Sequence, residues 1–254
     1  MKNKIIREQF NKQAEKFSEF SFTKSRVIYK FIYDFCRIQP GDTLLDVACG
    51  SGAFALFCAE KVRSVCGVDI SDRSITMAAD TARGRNIQNA SFIRSDVEAI
   101  PVADGSFSIA TCRMAFHHMG NYQKVFSEMV RCVQKNGRIC IQDMTACDRK
   151  ETDDYFEEID KLVDISHNRS LSKAEIIDLF DGQGVRILNT FESRHEFEIN
   201  EYASHAIQAP ENFEALNRLL ETGLNDTALS ALLYKKGDQT FLKKDGIVVL
   251  GIKE

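Results

Sequence analysis

Along the chain, short apolar runs alternate with longer stretches in which apolar residues recur every three or four positions. The short runs fall at 44–47, 65–70, 90–94, 107–112, 139–144 and 185–191, with a last pair at 240–243 and 247–252. Most are bounded by Gly, Asn, Asp or Ser and read as buried strands. Stretches 53–63, 73–84 and 122–134 between them read as helices. Two more helices precede the first strand. Residues 3–17 put Ile5, Ile6, Phe10, Ala14 and Phe17 on one side, and residues 24–37 carry Val27, Ile28, Phe31, Ile32 and Phe35 as a stripe. Pro40-Gly41-Asp42 separates them from the sheet. Strand–helix alternation of this kind predicts an α/β fold with a doubly wound, mostly parallel sheet of seven strands.

The second half of the chain adds helices that such a sheet does not need. Residues 150–164 form an amphipathic helix with Phe156, Ile159, Leu162 and Val163 inward and seven acids that read as a solvated face rather than a metal site. Ser170 to Glu175 is a capped helix start. Residues 200–236 read as helical, with Phe213, Leu216, Leu219 and Leu220 in a stripe. They interrupt the hairpin of the last two strands, the final one expected at the sheet's antiparallel edge.

Composition narrows the class. The 254 residues are 44% hydrophobic and 28% charged, an ordinary globular balance. With 33 Lys and Arg against 37 Asp and Glu, the formal charge of −4 provides no basic field for a nucleic-acid partner. No secretory signal or 18-residue apolar window is present, so a cytoplasmic protein without a membrane span is expected. The eight cysteines contain no C-x-x-C pair and sit in apolar elements. They read as buried thiols, with no metal site.

The informative chemistry lies at residues 44–54, Leu-Leu-Asp-Val-Ala-Cys-Gly-Ser-Gly-Ala-Phe. A strand ends in Asp46, a turn carries Gly50 and Gly52, and a helix follows. Glycine lets the backbone take positive φ and lie against a ligand, and the helix start offers unpaired N–H groups. Gly50, Gly52 and Ala55 fit a dinucleotide fingerprint, but Asp46 opposes a pyrophosphate and suits a cationic or donor-bearing ligand. The second strand ends in Asp69 and Ile70, where an acid can accept from ribose hydroxyls. The fourth ends at Arg113, ahead of His117 and His118, on the edge where open α/β sheets hold ligands.

Asp46-Val-Ala-Cys-Gly-Ser-Gly52 is similar to the first motif of class I S-adenosylmethionine-dependent methyltransferases, with Ala48 in place of its first glycine. The block from Asp96 through Pro101 to Asp104-Gly-Ser-Phe-Ser108 resembles a further motif of that family, with Ser108 where Asp is usual. Residues 128–138 resemble its Glu-x-x-Arg block. The segments 113–143 and 164–169 resemble a small-molecule group that includes ubiquinone and menaquinone C-methyltransferases. The resemblance implies a Rossmann-like fold and S-adenosylmethionine as cofactor, with S-adenosylhomocysteine as product. It implies that Asp96 accepts from the adenine amino group and Val97 offers its N–H to the ring. The segment around Phe17 is similar to one that closes over the cofactor.

One domain is expected. A helical cap (1–40) precedes the cofactor core (41–145), lid elements span 146–182 and 200–236, and closing strands occupy 183–199 and 237–254. The acceptor is then a small organic molecule, with His117 or His118 as base, and a homodimer stays open. Two other readings are an NAD-dependent oxidoreductase, which leaves Asp46 and the Asp96 block unexplained, and a non-catalytic nucleoside-binding protein, which a basic aromatic surface would mark.

Overall fold

In a computed structural model, which describes residues 2–206 and 209–254, two helices precede the sheet: α1 (Lys2–Glu19) and α2 (Arg26–Phe35). The core then alternates β1 (Thr43–Val47), α3 (Ala53–Ala59), β2 (Ser64–Asp69), α4 (Asp72–Gly84), β3 (Ala90–Arg94), β4 (Phe107–Arg113), α5 (Tyr122–Cys132) and β5 (Val133–Met144). After it come α6 (Lys150–Val163), α7 (Lys173–Asp181), β6 (Val185–Glu198), α8 (Ile199–Ser204), α9 (Pro210–Leu224), β7 (Leu233–Lys236) and β8 (Gln239–Lys253). Local chemistry sets several of these starts. Ser71 accepts from the Ser74 N–H at α4, and Ser172 with Glu175 forms a reciprocal capping box at α7.

The sheet runs β3-β2-β1-β4-β5-β8-β6. Strands β1 to β5 are parallel, and β8 is antiparallel to both of its neighbours. The doubly wound, mostly parallel expectation holds, with two differences. The last strand lies one place in from the edge, paired with β5 on one side and β6 on the other. Its Ile247-Val-Val-Leu250 run is buried, as a strand with a neighbour on each side and a layer on each face must be. The second difference is an eighth strand. Within the stretch expected to be helical at 200–236, Leu233–Lys236 pairs with the start of β8. Residues 207 and 208 of that stretch lie outside the described residues, as does residue 1 of the expected cap.

Among the described residues three apolar cores result. One face of the sheet packs α5 and α7, with Phe126 and Phe180 in contact. The other packs α2 and α3. The third core joins Phe156, Ile159 and Val163 of α6 to Phe197, Leu216, Leu220, Leu233 and Leu242. The segment 146–182 therefore divides: α6 joins the added helical module, whereas α7 covers the sheet through Ile176, Leu179 and Phe180. No described helix is long and apolar enough to cross a membrane.

Candidate functional site

Parallel strands β1, β2 and β3 end at one edge, and each delivers a carboxylate there. Asp46 is the penultimate residue of β1, Asp69 the last of β2, and Asp96 lies two residues beyond β3. Asp46 is buried and accepts from the Thr111 hydroxyl at 2.8 Å. Burial pushes its carboxyl up to about 6. The Thr111 bond and the Arg113 charge pull the other way, and the Asp69 charge adds to the rise. Asp69 is raised too, by burial, against the N–H groups of Ser71 and Gly50 that its two oxygens accept at 2.8 Å each. Asp96 accepts from the Glu98 N–H at 3.0 Å and from the side-chain amide of Asn3 at 2.6 Å.

The turn between Asp46 and α3 carries three positive φ values: 56° at Ala48, 53° at Gly50 and 75° at Gly52. The two glycines do different work. A Cβ on Gly50 would meet nothing within 4 Å, so its missing side chain leaves open space at the ligand edge. A Cβ on Gly52 would stand 2.8 Å from Ala78 Cβ and from the Phe92 ring. Gly52 is therefore a packing glycine between α3, α4 and β3, and a valine there would disturb the fold as well as the loop. Ala48 holds a left-handed conformation that costs a non-glycine residue about 1–2 kcal/mol.

A cavity of about 200 Å³ lies over this edge. Asp46, Ala48, Gly50, Asp69, Ile70, Asp96, Val97 and Arg113, all anticipated from the sequence, line it, as do Phe17, His117 and His118. Phe116, next to His117, is turned into the core. Arg113 lies against the faces of Tyr29 and Phe54, 5.1 and 4.9 Å from their ring centres, and donates to Gln142 at 2.7 Å. Helix α1 forms the roof. Phe10 and Phe17 face the cavity, and polar side chains tie the helix down. Asn11 accepts from the Ser71 hydroxyl at 2.8 Å and the Arg73 N–H at 3.1 Å, Glu15 pairs with Arg73, and Gln13 donates to Asp164 at 2.9 Å.

Beyond the strand tips the cavity wall becomes a cluster of histidines and acids. His117 Nδ1 lies 2.6 Å from Asp143 Oδ1, and the other Asp143 oxygen accepts the Phe116 N–H at 2.7 Å. Burial alone would lower the His117 pKa, but the Asp143 charge and hydrogen bond outweigh it, so the imidazole is more basic than usual. Asp143, buried as well, is held below the ordinary range by His117. His118, its ring centre 4.2 Å from that of His117, is the opposite case. Burial first, then the His117 charge, push its pKa down to about 3.

His205 and Lys244 escape a sequence reading, and Asp143, Asp164, Ser166 and His167, which lie in segments marked by resemblance, are given no place in the site by it, because folding brings these residues together from far apart. The acids of α6 also depart from expectation. Glu157 and Asp160 point inward, and Asp164 just past the helix is buried. Donor atoms of Glu157, Asp160 and His167 lie within 4.8 Å of one another, a spacing that suits a metal ion. Protein groups already engage them. Ser170 N–H and His167 Nε2 reach Glu157 at 2.7 and 3.1 Å, the Tyr202 hydroxyl donates to Asp160 at 2.7 Å, and the Lys244 ammonium pairs with Asp160. The set works as a network in which His167 lies between the two acids and the Lys244 ammonium pairs with Asp160.

The edge fits one ligand class and not another. Three carboxylates and an open glycine turn suit a nucleoside with hydroxyl and amino donors and a positive charge, and they repel a pyrophosphate. A family model described as a methyltransferase domain matches residues 38–171. The chain is 31% identical over 140 residues to YcgJ of Bacillus subtilis, an uncharacterized methyltransferase, covering 55% of this chain and 54% of that protein. It is 26% identical over 129 residues to the demethylmenaquinone methyltransferase of Alkalihalophilus pseudofirmus, covering 49% and 55%. The chain thus spans about half the length of these relatives in sequence. In structure the crystallised YcgJ aligns with 91% of this chain and 99% of its own, at a TM-score of 0.83 and 20% identity. Geranyl diphosphate C-methyltransferase of Streptomyces coelicolor, solved with magnesium, geranyl diphosphate and S-adenosylhomocysteine, aligns over 90% and 78% at 0.62 and 12%. At these identities the structural likeness concerns the fold.

Proposed function

Because this chain belongs to the class I S-adenosylmethionine-dependent methyltransferases, we propose that it methylates a small organic acceptor held beneath helix α1, with His117 as the base. The observation that carries the reading is the row of acids Asp46, Asp69 and Asp96 at the tips of three adjacent strands. Asp69 would hold the ribose diol, Asp96 with Val97 the adenine, and Asp46, opposite Arg113, the positively charged methionine end. S-adenosylmethionine, when bound, supplies a methyl group on a sulfonium that is already an activated leaving group. The protein is left to orient the acceptor, exclude water and take up a proton.

His117 suits the last task. Its Nδ1–H is fixed on Asp143, so Nε2 carries the lone pair, and the carboxylate stabilises the imidazolium that forms. His118, kept neutral, serves as a hydrogen-bonding partner. Two neighbouring imidazoles with pKa values moved in opposite directions are the pattern of divided acid–base and orienting roles. The walls supplied by Phe10, Phe17, Phe20, Phe197 and Met119 favour a largely apolar acceptor. Under the roof the cavity is smaller than the ~300–1,000 Å³ of ordinary ligand sites, so α1 acts as a closing cap that moves to admit its ligands. Incubating the protein with methyl-labelled cofactor and a panel of hydroxylated aromatic and amine acceptors tests this. Label transferred to a small acceptor by wild type and not by His117→Ala supports the reading. Label transferred only to nucleic acid or protein overturns it.

A further inference from the structure

We infer that Ser166, anchored by Asp164, is a positioning residue that fixes His118 in its Nδ1–H tautomer, so that Nε2 offers a lone pair to the cavity and selects acceptors bearing an O–H or N–H. The tautomer follows from hydrogen-bond direction. Asp164 is a carboxylate and can only accept. Its Oδ1 takes the Ser166 N–H at 2.8 Å and the Ser166 hydroxyl at 2.6 Å. The single hydroxyl hydrogen of Ser166 is therefore committed to Asp164. Ser166 Oγ also lies 3.1 Å from His118 Nδ1. With its hydrogen spent, the oxygen acts as acceptor there, and the hydrogen between the two belongs to Nδ1. Nε2 is left as the unprotonated nitrogen. Among the described residues no group hydrogen-bonds to it, and the ring borders the cavity with Phe10 edge-on at 4.9 Å.

The same chain of bonds runs on into the roof. Asp164 Oδ2 accepts from Gln13 at 2.9 Å, and the Gln13 carbonyl accepts from Gln9 at 2.8 Å, which fixes the amide orientation. Both glutamines are buried, at 0% and 2% exposure, and a buried amide is tolerated only when its hydrogen bonds are made. Docking of α1 thus completes the network that orients Asp164, and cap closure and the locking of His118 become one event. The titratable groups around His118 are His117, His167 and Asp164, with Asp143 behind His117. The two imidazoles oppose a charge on His118. An acceptor lacking a donor would leave Nε2 buried and unpaired, a discrimination of about 10–100-fold. The role in acceptor choice rests on the methyl-transfer reading, whereas the tautomer does not.

Two-bond proton–nitrogen NMR on full-length protein with 15N-labelled histidine, saturated with S-adenosylhomocysteine, reads the tautomer directly. The expected spectrum has His118 protonated at Nδ1, with a pyridine-type Nε2 that does not titrate between about pH 5.5 and 8. Ser166→Ala moves the ring to mixed tautomers, Ser166→Thr restores the pure one, and Gln13→Leu gives a weaker version of the alanine effect. An Nε2–H tautomer in wild type overturns the inference. So does an unchanged His118 signal in folded Ser166→Ala. Should wild type give the expected signal while no small acceptor is methylated, the functional reading fails and the tautomer assignment stands. With a working acceptor, Ser166→Ala raises its KM about 10-fold and leaves cofactor affinity unchanged. An unchanged KM overturns the selection role.

Discussion

The two ends of the cavity are built in different ways. At the cofactor end, Asp46, Asp69 and Asp96 come from successive strand tips within about fifty residues, and short local motifs mark each of them. At the acceptor end, His117 and His118 meet Asp143, the 157–167 segment, His205, Lys244 and the roof helix, spread from residue 9 to residue 244. At the first end burial raises the pKa values of Asp46 and Asp69, and Arg113 is the charged partner of Asp46. At the second end Asp143, Glu157, Asp160 and Asp164 each accept from a specific imidazole, ammonium, hydroxyl or amide. On the proposed function, the first end receives a donor-rich, cationic cofactor and the second holds the groups that take up a proton. Mutations at the first end are therefore expected to change cofactor affinity, and those at the second to change turnover or acceptor KM.

The largest effect belongs to the acceptor end. His117→Ala is expected to lower kcat by about 10²–10⁴-fold with cofactor affinity unchanged by calorimetry. The pH profile sharpens this. In the proposed reaction the base form of His117 is the active one, and Asp143 raises its pKa, so activity is expected to rise with pH through a value above the ordinary 6.5. Asp143→Asn removes the charge that raises it, and the acidic limb of the profile moves to lower pH as the plateau falls. The stability sign runs the other way. A raised imidazole pKa contributes stability that is complete below the unfolded value and is lost as pH climbs through the folded one.

Next in size is Asp69→Ala at the cofactor end. It strands the Gly50 and Ser71 N–H groups and removes the acceptor for the ribose. A loss of roughly 1–3 kcal/mol in cofactor binding is expected, with no change in the His117-dependent pH limb. An affinity equal to wild type would mean that the nucleoside sits elsewhere. Asp46 gives a pH effect at the same end. Because burial lifts its carboxyl to about 6, affinity for S-adenosylmethionine declines as pH drops through 6 and the carboxylate is protonated. Asp46→Asn is expected to flatten that slope, measured by calorimetry between about pH 5 and 8.

How far the sequence could be read follows the same division. The strand-tip acids, the glycine turn and the parallel alternation were legible because local spacing encodes them. Residues 128–138 are a partial case. Glu128 and Arg131 are recognisable as a pair, yet their work is structural: Glu128 accepts the Ile100 N–H and Arg131 reaches the Ile100 and Val102 carbonyls and Asp104. Other features were not legible. Strand β8 enters the sheet one place in from the edge, a matter of tertiary pairing that its apolar run does not specify. Leu233–Lys236 is too short to read against a helical background. The acids of α6 resemble a wet face until Lys244, eighty-four residues on from Asp160, pairs with that acid, and His167 with Glu157. Ser166 and Gln13 are ordinary polar residues whose meaning depends wholly on what folding places beside them.

The smallest effect concerns the loop itself. Ala48 sits at φ 56° where the related motif has glycine. Ala48→Gly is expected to stabilise the protein by about 1 kcal/mol, relief of left-handed strain offset in part by the flexibility of glycine in the unfolded chain. Thermal unfolding that shows no gain would mean the turn relaxes around alanine.

Isothermal titration of the wild-type protein with S-adenosylhomocysteine and, in parallel, with NAD tests the claim that the strand-tip acids form a nucleoside site for a cationic cofactor. Saturable binding of S-adenosylhomocysteine that is weakened in Asp69→Ala and retained in His117→Ala, with no heat from NAD, is the predicted result. Binding of NAD at comparable affinity, or S-adenosylhomocysteine binding indifferent to Asp69, would contradict it.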